Sequence, residues 1–133
     1  MFIPFETLPD TSRIWIYQAN RPLQAEELTE IQTFLTTQID AWGAHGAPLK
    51  ASFSVIKNQI ILIAADESFQ AASGCSIDTS SRWMKELGAR FSVDFFDRSI
   101  LCENEAGKLF SVSPFQIKKR VEAGEISAET LVY

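Results

Sequence analysis

Leu28, Ile31, Leu35, Ile39 and Trp42 recur at intervals of three and four residues, one unbroken apolar stripe with Phe34 beside it. Only an α-helix brings such positions onto one face. A helix of that kind must lay its stripe on another apolar surface, and the flanking residues supply one. Residues 13–17 alternate and are rich in β-formers. Ala51, Phe53 and Val55 alternate with serines, Lys57-Asn58-Gln59 turns, and residues 60–65 run apolar. That is the pattern of a β-hairpin whose second strand is central. Asn20 is expected to cap the helix, with Pro22 in its first turn and Glu26 and Glu27 at the positive end of its dipole. Gly43 is expected to stop it.

Asp78 or Thr79 is expected to cap a second helix through Ala89 that carries Trp83, Met84 and Leu87, and residues 93–102 read as a fourth strand. The order β-α-β-β-α-β over residues 13–102 predicts an α+β fold, a ferredoxin-like βαββαβ sandwich. The alternative is an α+β roll with another strand order. Residues 103–133 extend the core by a C-terminal β-hairpin and a helix. Glu103-Asn104-Glu105-Ala106-Gly107 turns, and residues 108–112 return as a strand. Ser113-Pro114-Phe115-Gln116 is a capping box whose helix is expected to bury Phe115, Ile117 and Val121. Lys118-Lys119-Arg120 fall near the negative end of that helix, where cations are stabilising. Leu131-Val132-Tyr133 reads as a short terminal strand or packed tail. Residues 1–12 form an irregular arm whose Phe2, Ile3, Phe5 and Leu8 are expected to pack on the domain. No repeat or low-complexity linker divides residues 1–133, so a single domain is expected.

The 133 residues are enough for one core without disulfides or metals. Asp and Glu number 17 against 12 Lys and Arg, a net charge of −5. A nucleic-acid or anionic-membrane partner needs a basic face, and this chain lacks one. No apolar run approaches the ~20 residues of a membrane helix. The N-terminal residues show no signal-peptide pattern, so a cytoplasmic protein is expected. Cys75 and Cys102 are too few for a disulfide framework, and with His45 as the lone histidine they make no closed zinc site. No metal and no cofactor is implied.

If the elements alternate in direction, the loop after the first helix and the loop after the third strand lie at one end of the sheet. The first holds His45 between Gly43 and Gly46. The second holds Asp66 and Glu67, then Ser73, Gly74, Cys75 and Asp78. Such loops carry function disproportionately. One reading is a non-catalytic domain that binds a protein or small-molecule ligand through His45, Asp66, Glu67, Ser73, Gly74, Cys75 and Asp78. A second is a small enzyme. Backbone N–H groups at a helix start favour a Cys75 thiolate, His45 would serve as its base, and Asp66 would orient the imidazole. A third is a subunit whose exposed sheet or helix face pairs with another chain, such as a second copy. Each residue also has a plainer role. Cys75 would be a small buried hydrophobe, His45 a partner for nearby backbone, Asp66 and Glu67 turn caps, and Gly74 the supplier of a backbone angle. Ser73 and Gly74 beside a helix start also suit a phosphate. Trp15, Trp42 and Trp83 suit a core.

The segments Trp15-Ile16-Tyr17-Gln18-Ala19-Asn20-Arg21, Trp42-Gly43-Ala44-His45-Gly46-Ala47-Pro48-Leu49-Lys50-Ala51-Ser52-Phe53, Ala65-Asp66-Glu67-Ser68 and Ala72-Ser73-Gly74-Cys75-Ser76-Ile77-Asp78 resemble an uncharacterised family of small bacterial proteins. Members of that family often bear the label "ABC transporter ATPase". The resemblance implies no established activity and carries no functional residue over. The ATPase reading fails on chemistry: phosphate and magnesium need a GxxxxGK[ST] loop, and none of the six glycines opens one. Residues 115–133 are similar to the helix-and-turn end of small GYF-like adaptor modules, without the aromatic signature by which those modules hold proline-rich peptides.

Overall fold

The computed structural model describes all residues, Met1–Tyr133. It is a mixed α+β protein with three α-helices and three small antiparallel sheets. The chain divides into two compact units, Met1–Phe96 and Asp97–Tyr133; the sequence reading expected a single domain, with a core over residues 13–102 extended by residues 103–133. No helix is long and apolar enough to cross a membrane.

In the first unit, β1 (Arg13–Gln18), β4 (Lys50–Ile56) and β5 (Ile60–Asp66) form one sheet in the order β1-β5-β4. The register pairs Trp15 with Ile63 and Tyr17 with Ile61, and beyond them Phe53 with Ile63 and Val55 with Ile61. Those side chains share one face. Helices α1 (Ala25–Asp40) and α2 (Gly74–Phe91) cover it, with Ile31, Leu35, Ile39, Met84 and Leu87 in the same buried cluster. The helical stripe and the hairpin therefore meet as the periodicities require. Lys57 and Asn58 both have positive φ, 54° and 56°, the two-residue turn whose twist matches paired strands. Ile14 and Ile16 point to the opposite face and are exposed. The arm packs beside β4: Phe2 bridges to Ala51, and the Phe2 and Phe53 rings lie 5.9 Å apart.

Several expectations are corrected. The first helix starts at Ala25, not after Asn20, because Glu27 reaches back to the Gln24 N–H at 2.9 Å. Asn20 instead uses Oδ1 to accept from the Asp94 N–H at 3.0 Å. The second helix starts at Gly74, four residues before Asp78. Ser73 accepts from the Ser76 N–H, and the Ser76 hydroxyl returns to the Ser73 N–H, so two orphan donors are satisfied. Residues 93–102 are not one strand. Ser92 turns left-handed at φ 55°, and Val93 and Phe95 plunge into the core. Only a single parallel bridge, Gln18 to Phe96, touches the sheet. β1 is consequently an edge strand, while β5 is central.

The second unit has its own sheet, with β6 (Ile100–Glu103) between β7 (Leu109–Val112) and β8 (Leu131–Val132). Its small core is Cys102, Val112 and Ile126, joined by Ile100, Phe110 and Ile117. Ser113 caps a 3₁₀ turn at Pro114–Gln116 that leads into α3 (Ile117–Glu122). A helix of six residues turns one side chain, Ile117, into so small a core. Phe115 and Val121, expected to be buried, are 97% and 50% exposed.

Arg21 and Glu27 join two helix ends. The guanidinium makes two parallel 2.8 Å bonds to the carboxylate and a third, at 3.0 Å, to the Phe91 carbonyl at the end of α2. The hydrogen bonds from Arg21, and then that from the Gln24 N–H, hold the Glu27 carboxyl down at about 2. A carboxyl that titrates lower folded than unfolded stabilises the fold fully above about pH 5 and loses that contribution as pH falls toward 2. Arg21 is 37% exposed and Glu27 13%, so solvent screening reduces the value to about 1–2 kcal/mol. Glu27→Gln is expected to lower urea stability by that amount at pH 7. The difference between the two proteins should shrink by pH 3; a gap that stays constant would show that the charge is not what matters.

Candidate functional site

His45 and Cys75 line one depression of about 450 Å³. The segment after α1 is a miniature hairpin, β2 (Gly43–Ala44) paired with β3 (Ala47–Pro48). His45 and Gly46 form its tip with φ 50° and 78°, so Gly46 takes a left-handed conformation that costs a glycine little. Gly43 sits where a Cβ would be 2.7 Å from the Ala47 carbonyl oxygen, which keeps the two tiny strands close.

Helix α2 is stitched to this hairpin at its first turn. The Trp42 indole Nε1–H donates to the Ser76 carbonyl at 3.0 Å, and the Ser76 hydroxyl to the Gly43 carbonyl at 2.9 Å. The same serine thus caps its own helix and anchors the hairpin. Cys75, next to it, is exposed, and Thr79 one turn on donates to its carbonyl at 2.8 Å. Ser73, Thr79 and Asp40 complete the polar lining. Trp42 closes the base of the depression and is itself 3% exposed, packed edge-on between Trp15 and Trp83 at 5.8 and 5.2 Å.

The remaining candidates lie elsewhere. Asp66 Oδ1 accepts from the Ser68 N–H at 2.9 Å, and the Ser68 hydroxyl and N–H hold its carboxyl below the usual range. It borders a separate depression with Pro48, Lys50, Phe69 and Gln70. Glu67 accepts from the Ala72 N–H at 2.7 Å and faces Arg13 at 3.9 Å. Both carboxylates brace the loop that leads into α2, as turn caps do. Asp78 is on the exposed side of α2 and does not line the depression. Gly74 has ordinary φ and open space where a Cβ would go, so no backbone angle requires it.

Cys75, His45 and Asp66, the set that the sequence offered as nucleophile, base and orienting carboxylate, therefore do not share one depression. His45 and Cys75 share the depression, but Asp66 is engaged with Ser68 and cannot orient the ring. Cys75 is also no buried hydrophobe. The sequence reading missed Thr79 and Asp40 as lining residues and took Trp42 as core only. Helix α1 ends at Asp40 with Ala41 as its C-cap, short of the Gly43 expected to stop it, so Trp42 lies just past the helix, where a buried indole N–H needs a partner from another element. Comparison of the chain with protein-family models, with curated proteins and with solved structures finds no match.

Proposed function

We propose that the chain is a non-catalytic binding domain that seats a small ligand or a segment of another protein in the depression between the His45 turn and the first turn of α2. One observation carries this reading: the depression has a fixed frame, set by the Trp42–Ser76 and Ser76–Gly43 bonds, and presents a few polar side chains, His45, Cys75, Thr79 and Asp40, around it. Preformed concave sites with few polar groups are what recognition requires. An enzyme with Cys75 as nucleophile and His45 as base is the lesser reading, favoured only by their common depression.

Three further statements belong to the same proposal. The order β1-β5-β4 with α1 and α2 on one face supports a ferredoxin-like arrangement whose fourth strand has left the sheet. The two free thiols support residence in the reducing cytoplasm. Kinship with the small bacterial family rests on the sequence segments alone.

Iodoacetamide labelling tests the main reading. Cys75 is exposed and is expected to react in the folded protein less than tenfold faster than free N-acetylcysteine, since a helix start by itself is worth about 0.3–1 kcal/mol. Cys102 is 0% exposed, and burial pushes its thiol up, so it should label only on unfolding. Amide shifts on addition of imidazole- and carboxylate-bearing fragments should cluster at residues 43–48 and 73–79. A Cys75 rate tenfold or more above the free thiol, or fragments that shift only other segments, would defeat the proposal.

A further inference from the structure

The unit Asp97–Tyr133 carries two surfaces that its own packing leaves unused. The first is a cleft of about 700 Å³ between the β6–β7 turn and the segment that joins α3 to β8. Its walls bear Glu103, Glu105, Glu125 and Glu129 and no lysine or arginine, and Phe110 and Leu131 give it an apolar side. Glu103 accepts from the Tyr133 hydroxyl, Glu125 is paired with Arg120, and Glu129 accepts weakly from the Ser127 hydroxyl at 3.4 Å. The Glu105 carboxylate has no partner.

The second surface is a ridge at the start of α3. Phe115 is 97% exposed, and Lys118 and Lys119, three and four residues on, are exposed as well. Phe115, in the 3₁₀ turn that leads into α3, and the two lysines of the first helical residues are thus exposed together within five residues of chain. Neither lysine is in an ion pair. The negative end of the helix dipole favours Lys119 and Arg120 in the last turn, but it accounts neither for Lys118 in the first turn nor for a phenylalanine held out in water beside them.

Each surface has what the other lacks. The cleft is anionic with an apolar side, and the ridge is an apolar ring flanked by cations. We infer that the ridge of one molecule docks in the cleft of a second copy, with Phe115 against Phe110 and Leu131 and the two lysines against Glu105 and Glu129. The occupant is committed by complementarity in both charge and apolar surface. The contact joins two different surfaces, so it is heterologous, and every docked molecule keeps one free ridge or cleft for the next. Association grows head to tail, and the molecule's net charge keeps it weak.

Sedimentation of two complementary variants tests this. One removes the ridge (Phe115→Ser, Lys118→Gln, Lys119→Gln) and keeps the cleft; the other neutralises the cleft (Glu105→Gln, Glu129→Gln) and keeps the ridge. All five side chains are exposed, so circular dichroism should be unchanged. The wild-type chain is expected to gain mass with concentration up to about 1 mM. Each variant alone should associate at least tenfold more weakly. An equimolar mixture should form a one-to-one dimer and stop there, since one ridge and one cleft remain to meet. A wild-type chain that stays monomeric would overturn the inference and leave the cleft to some other cationic partner. Variants that associate like the wild type, or a mixture that stays monomeric while the wild type associates, would overturn it equally.

Discussion

Trp42→Ala is expected to destabilise the first unit by about 3–5 kcal/mol, the range for deleting a buried aromatic side chain. Trp42 is 3% exposed and sits between two other indoles, so its removal leaves Trp15 and Trp83 facing a void. The loss goes beyond packing. The indole N–H is one of two bonds that tie the hairpin to α2; without it the Gly43–Pro48 hairpin is held by Ser76 alone. Urea denaturation should show the full loss, and near-UV circular dichroism should lose the signal of the stacked indoles. Amide exchange at residues 43–48 should rise in the native state as well. Trp42→Phe retains most of the ring contact and removes the donor, so it should cost about 1–2 kcal/mol. A cost below about 1 kcal/mol for the alanine variant would show that the tryptophan does not hold the depression's frame.

The elements legible in the sequence are those where local preference and global packing agree. The stripe from Leu28 to Trp42 could be satisfied only by a helix, and the strands that receive it were marked by their alternation. The Lys57-Asn58 turn lies between them. With those placed, the register that opposes Trp15 to Ile63 follows from which side each residue must face. What failed was decided by tertiary contacts. Val93, Phe95 and Phe96 look like strand residues by type. Their burial is achieved instead by a left-handed turn at Ser92 that sends Val93 and Phe95 into the helix-covered core. Phe115 failed for another reason: the periodicity is helical, but α3 begins only at Ile117, and Phe115 lies in the 3₁₀ turn before it, outside the core of Cys102, Val112 and Ile126.

Half of the candidate site was legible. Alternating element directions put the loop of His45 and the start of α2 at the same end of the sheet, and that holds although residues 93–102 form no strand of it, because neither loop depends on them. The roles of the acidic residues were not legible. Asp66 and Glu67 are the right chemical types for acid–base work, and which backbone N–H each accepts is decided by the path of residues 67–72, which has no periodicity to read. A hydrogen bond to a near neighbour in sequence outcompetes a distant imidazole for a short carboxylate side chain.

Two glycines of α2 should respond to the same substitution with opposite sign. Gly88→Ala places a Cβ 2.5 Å from the Val93 carbonyl oxygen and 3.6 Å from the Phe95 ring. The oxygen belongs to backbone that is itself pinned, since the Val93 N–H donates to the Gly88 carbonyl at 2.9 Å. Relieving the clash means moving the turn that carries Phe95, which is 1% exposed. Overpacking of this kind costs about 1–3 kcal/mol, and loosening the Val93 bond adds about 1 kcal/mol. Alanine's helix preference returns about 1 kcal/mol, so a net loss of about 1–3 kcal/mol is expected. Gly74→Ala meets open space at an ordinary φ. It should be neutral or stabilising by up to about 1 kcal/mol, through a less flexible unfolded chain. Thermal denaturation of the two variants side by side decides the matter. If Gly88→Ala matched or exceeded the wild type, the close pass of residues 93–95 over α2 would be wrong, and with it the account of why residues 93–102 are not one strand.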